Sequence, residues 1–281
     1  MFPFSWFRRR RRRKLLATPF PAEWVSFLVE LPFYAGLNAD ERGRLHDILR
    51  VIIAEKDWEG CNGLELTDEI MVVIAAQAAL LLLEIEHDHY RRVRSILVYP
   101  TAYGENAPRR GQGGIVGDGQ RNLGEAWYRG PVILSWDSAV HGAVDPKDGH
   151  NLVWHEFAHK LDMMDGYIDG TPPLLRKEDY KLWTRIMTAE FENLKGRGGR
   201  RAVLDRYGAT NEAEFFAVAT ESFFEKSLQM EKKHPELYDL LRTYYRQDPA
   251  GRLRKAAAAA KARGEDVEEE DKRKKGKKRR R

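Results

Sequence analysis

The sequence predicts an α+β fold that is predominantly helical, with one small sheet. Three observations lead there. Seven stretches carry apolar residues at helical spacing or open on a capping residue, whereas only residues 95–99 and 131–136 read as strands. An apolar content of 42 %, with 11 % aromatic, is that of a folded chain and excludes wholesale disorder. No internal repeat is evident in the 281 residues.

Pro21 opens the first helix, with Trp24, Phe27, Leu28 and Leu31 on its apolar face. Asn38 or Asp40 can cap the second, in which Leu45, Ile48, Leu49 and Ile52 repeat at three and four. Thr67 caps a third, whose apolar run 70–83 is interrupted by Gln77. That run is too short to span a bilayer and suits a buried helix. Strands follow at 95–99 and 131–136, separated by a glycine-rich loop around 111–119. The loop has no Walker pattern and no strand–glycine–helix unit around it, so it carries no phosphate-binding expectation. Four more helices are expected at 151–164, 177–194, 211–228 and 235–245.

The formal charge of +5 misdescribes this core. Residues 8–14 are seven consecutive cations, and residues 252–281 hold fourteen basic and six acidic side chains. Residues 15–251 keep 27 basic against 37 acidic groups, so the folded part is acidic. No specific nucleic-acid partner is assigned on that balance. Residues 1–21 are expected to be a disordered basic and aromatic arm, and 252–281 a disordered charged tail, around a domain of residues 22–251. Both basic ends allow weak contact with an anionic surface, and no transmembrane segment is expected. The arm's charge follows its apolar residues, the reverse of a secretory signal, and Cys61 is the single cysteine. A cytoplasmic location is expected.

Chemistry concentrates in His155-Glu156-Phe157-Ala158-His159. On a helix, residues four apart stand one turn above another, so two imidazoles converge on one Zn²⁺ per chain. Glu156, one helical step away, borders the metal and can take the proton of an attacking water. Val153, Trp154, Phe157, Ala158 and Leu161 give the helix its apolar stripe, and Gly166 can end it. A catalytic zinc ion needs a third protein ligand, and no further histidine follows at the metzincin distance. The helix 211–228 offers Glu212, Glu214, Glu221 and Glu225; spacing leaves Glu214 and Glu221 tied. Asp162 reads equally as an acceptor for a ligand imidazole or a surface charge. His150 reads as a cap or surface residue, His87 and His89 lack a metal spacing, and Cys61 reads as structural.

HEFAHKLD followed by YGATNEAEFFA resembles the Mlc titration factor A family of zinc-dependent, gluzincin-like peptidases. The motifs are also similar to those of the anthrax lethal factor catalytic domain. LTDEIMVVIAAQAALLLL, ILVYPTAY, GPVILSW and YYRQDPAGRL extend the likeness over residues 22 to 252. The resemblance implies a zincin-like domain, with the sheet packed beside the HExxH helix, and aminopeptidase-like action on short peptides. It selects Glu214 as third ligand and implies that Tyr207 sits by the metal, where a phenol can donate to the oxyanion or leaving amine. Family members can carry an extra loop histidine; here Asp118 stands near that place and is not assigned as a ligand. Two partners follow: a peptide substrate and, in a regulatory alternative, a transcriptional repressor sequestered by binding. An edge strand at 95–99 or 131–136 is the candidate for substrate pairing.

Overall fold

Capping side chains start five of the α-helices in the computed structural model, which describes residues 3–101, 130–196 and 203–263. The first elements are α1 (Pro3–Leu16), α2 (Ala22–Val29), α3 (Pro32–Ala35), α4 (Ala39–Glu55), β1 (Asp57–Gly60) and α5 (Asp68–Leu82). Asn38 caps α4 in a reciprocal box: its side chain accepts from Glu41 N at 3.0 Å while Glu41 Oε2 accepts from Asn38 N at 2.8 Å. Asp40 falls inside the first turn, where its charge complements the helix dipole. Thr67 caps α5 through Ile70 N at 3.3 Å. Apart from Met71, α5 is buried from Ile70 to Leu82, packed between α4 and the HExxH helix.

β2 (Ser95–Tyr99) and β3 (Val132–Ser135) join β1 in a parallel sheet of order β1-β2-β3, with Ile96 opposite both Trp58 and Val132. Parallel neighbours need a crossover, which α5 supplies between β1 and β2. β2 is paired on both sides; β3 has an open edge among the described residues and lies beside the HExxH helix. β1 escapes the sequence pattern because Asp-Trp-Glu-Gly has little strand character of its own. Trp136, expected to end a strand, instead starts α6 (Trp136–Val144).

The remaining elements are α7 (Leu152–Asp162), α8 (Asp179–Gly196), a 3₁₀ turn (Arg206–Ala209), α9 (Glu212–Glu225), α10 (Ser227–Lys233), α11 (Pro235–Tyr245) and α12 (Pro249–Ala262). The helix expected over 211–228 breaks at Lys226 into α9 and α10. Among the described residues, no helix is long and apolar enough to cross a membrane.

Both ends of the described chain are helical. Residues 3–16 form a helix that Arg12 ties to the body. Arg12 reaches both oxygens of Glu55 at 2.7 Å and His89 Nδ1 at 3.0 Å. Burial and the neighbouring His87 and Arg12 push His89 down to about 3, so it stays neutral and accepts the guanidinium hydrogen. Arg50 ties down the next turn through Leu15 O and Thr18 Oγ1. At the other end, Asp248 caps α12 through Gly251 N at 2.8 Å, and Arg252 pairs with Glu41 at 2.6 Å. The glycine loop, Asp118 and residues 264–281 lie outside the described residues.

Candidate metal centre

Asn151 fixes the helix that carries the motif. Its Oδ1 accepts from Trp154 N at 2.9 Å, capping α7, while its Nδ2 donates to Gln77 Oε1 and Gly142 O, each at 2.9 Å. The Gln77 side chain also donates to Val73 O and Ala139 O at 3.1 and 3.3 Å, and the backbone carbonyl of Gln77 accepts from Trp154 Nε1 at 3.0 Å. The polar break in the apolar helix α5 is therefore a bracket joining α5, α6 and α7. Gly142 lets α6 approach: a Cβ there would lie 2.9 Å from Asn151 Cα.

On this base, His155 and His159 stand one turn apart with their Nε2 atoms separated by 3.2 Å. α9 brings in Glu214, whose backbone N–H is held by the cap residue Asn211 at 2.9 Å. Glu214 Oε2 lies 3.0 Å from His155 Nε2 and 3.4 Å from His159 Nε2. Two imidazole nitrogens and a carboxylate oxygen thus converge. Burial alone would depress His155, but hydrogen bonds to Glu214 and Glu221 hold its pKa well above the usual imidazole value. Burial would raise Glu214, and the two histidines reverse it, leaving the carboxyl well below its usual range. These three residues could hold a metal ion.

Glu156 is 4 % exposed on the same helix. Tyr207, half-buried in the 3₁₀ turn, has its ring centroid 6.0 Å from that of His155. All five residues singled out in the sequence thus come from α7, α9 and the turn before α9.

A family profile described as glucose-regulated metallo-peptidase M90 matches residues 6–246. The chain belongs to the M90 metallopeptidase family. It is 41 % identical to uncharacterized protein slr2042 of Synechocystis sp. over 244 residues, 85 % of this chain and 89 % of that one. It is 32 % identical to the Mlc titration factor A proteins of Yersinia pestis and Yersinia pseudotuberculosis over 240 residues, covering 83 % and 87 % of the respective chains. M90 membership implies a metal cofactor, and the donor set just described is chemically suited to one.

Around these three residues of the M90 chain lies a layer of acids that sequence reading resolves only in part. Glu221, tied with Glu214 by spacing, holds the other nitrogen: its Oε1 is 2.8 Å from His155 Nδ1 and its Oε2 accepts from Asn151 N at 2.6 Å. Glu225, one turn further on, accepts from Gly149 N and His150 N at 2.7 and 3.1 Å. Burial, reinforced by Glu221 and Asp148, pushes Glu225 up to about 9, so it is protonated at neutral pH. Its i+4 spacing from Glu221 was the one available signal. Asp162 is fully buried rather than a surface charge; its Oδ2 accepts from Gly170 N at 2.9 Å. Its Oδ1 and His159 Nδ1 are both buried without hydrogen-bond partners. Burial raises Asp162 to about 6 against the opposing pull of Gly170 and His159.

Proposed function

We propose that the protein is a zinc-dependent peptidase with aminopeptidase-like action on short peptides, in which His155, His159 and Glu214 hold one zinc ion. The carrying observation is the mutual spacing of the three donor atoms, 3.0 to 3.4 Å. Ligands about 2.0–2.1 Å from a tetrahedral ion stand roughly 3.3 Å from one another, so the donors fit zinc with little rearrangement. When bound, zinc would supply Lewis acidity, polarising the scissile carbonyl and acidifying water.

The chain's own groups do the rest. Glu156 is the general base: its carboxylate takes the proton of the attacking water and returns it to the leaving amine. The Tyr207 phenol donates to the developing oxyanion. Glu221 keeps a proton on His155 Nδ1, leaving Nε2 free as a donor to the metal. The open edge of β3 accepts the peptide backbone as an added strand. A cytoplasmic setting accords with Cys61 being the single cysteine.

Glu156→Gln tests the reading. It should retain one zinc per chain by metal analysis and lose peptide cleavage by about 10²-fold or more; unchanged turnover would refute the mechanism.

The name of the Yersinia relatives, Mlc titration factor A, favours a second reading, in which the chain sequesters a transcriptional repressor without catalysis. Capture of such a repressor by the Glu156→Gln protein as strongly as by wild type, with no peptidase activity in either, supports sequestration.

A further inference from the structure

We propose that α1 is an interfacial helix that docks the protein on an anionic phospholipid surface. Its exposed side combines two kinds of side chain. Trp6 and Phe7 are 57 % and 62 % exposed, with rings edge-to-face at 5.1 Å. Arg8, Arg9, Arg10, Arg11, Arg13 and Lys14 are exposed as well. Within this run Arg12 turns inward, onto Glu55 and His89, and Arg11 reaches Ala54 O at 3.4 Å; the half-buried Leu15 and Leu16 follow on the Arg12 side. The helix is thus anchored along one side, and helical spacing puts Trp6, Arg10 and Lys14 in one row on the other, with Phe7 beside them.

Arg10 sits over the Trp6 ring at 5.5 Å, an aromatic body under a cationic head. Among the described residues, no carboxylate forms an ion pair with Arg8, Arg9, Arg10, Arg13 or Lys14. At 14 residues α1 is too short and too charged to cross a bilayer, so it lies in the plane of the headgroups. There the two aromatics enter the acyl boundary while the cations meet lipid phosphates. Residues 15–251 are acidic and would be repelled, which makes the basic helix the face turned to the surface. The chemistry favours lipid over nucleic acid: the Trp6 and Phe7 planes stand at 81°, a poor platform for successive stacked bases.

Co-sedimentation of the full chain with vesicles of equimolar phosphatidylglycerol and phosphatidylcholine tests the proposal. Wild type should bind these and not vesicles of phosphatidylcholine alone. Trp6→Ser/Phe7→Ser should weaken binding about tenfold or more. Arg9→Ala/Arg10→Ala/Lys14→Ala should do likewise, and both variants should keep the wild-type unfolding midpoint. Equal binding to phosphatidylcholine alone overturns the proposal. Unchanged binding by Trp6→Ser/Phe7→Ser also overturns it, transferring the contact to the basic residues after 252. Retention on duplex DNA, insensitive to the aromatic substitutions and without vesicle binding, overturns it in favour of a nucleic acid.

Discussion

Glu221 accepts hydrogen bonds from two groups at opposite ends of one helical turn: His155 Nδ1 at 2.8 Å and the Asn151 N–H at 2.6 Å. One carboxylate therefore sets both the ring orientation of His155, a proposed metal ligand, and the axial position of its helix. Glu221→Ala should lower metal affinity about 10- to 100-fold, read by competition with a chelating indicator, while one ion per chain still binds at saturation. Glu214→Ala should cost more, since it deletes a donor. Equal losses for the two would contradict this division of labour.

Metal binding should release a proton. Without metal, Glu214 and Glu221 keep His155 protonated well above its usual pKa, against the opposing effect of burial. A metal ion needs the neutral ring, so affinity rises with pH through the neutral range. Calorimetric titration in buffers of different ionisation enthalpy should find close to one proton released per ion near neutrality, and no release would count against it.

The protonated Glu225 makes a stability prediction with a definite sign. Its folded pKa of about 9 lies above the unfolded value near 4.5. Between those values the folded state binds the extra proton, so this group's contribution falls as pH rises from 4.5 towards 9. Glu225→Gln keeps an acceptor for Gly149 and His150 but cannot ionise. It should raise the unfolding midpoint by about 2–4 °C, a gain on the order of 1 kcal/mol for a chain of this size, and by more at pH 8 than at pH 5. A larger gain at the acid end would reverse the assignment.

Gly142→Ala should damage the site from outside it. The new Cβ would meet Asn151 Cα at 2.9 Å, and backbone cannot swing aside as a side-chain end can. A destabilisation of about 1–3 kcal/mol is expected in denaturant titration, together with weaker metal binding as Asn151 is displaced.

Tyr207→Phe should reduce kcat by about 10²-fold with little change in KM or metal content, if the phenol serves only the charged transition state. A change confined to KM would reassign the ring to substrate packing.

Much of this centre was legible in one dimension. His155 and His159 declare themselves by spacing, and the caps at Thr67, Asn151 and Asn211 are where small polar residues precede apolar runs. The choice between Glu214 and Glu221 was not legible, because both lie on the same helical face and both touch His155. Only the offset between α7 and α9 puts one on Nε2 and the other on Nδ1. β1 is not legible because pairing with β2, rather than residue type, makes it a strand. α1 is not legible in the sequence because its contacts lie far along the chain, at Glu55 and His89, and no local pattern announces them.

Gln77 gives α5 an uneven tolerance to change. Its apolar neighbours interact mainly through shape, so a library that conserves volume at Val73, Ile74 or Leu80 should yield many folded variants. Position 77 answers to three elements at once, and few alternatives offer a donor and an acceptor at the same reach. A deep mutational scan of this helix should therefore show one sharply intolerant polar position within a permissive apolar stretch, and its signature should be loss of activity as much as loss of abundance.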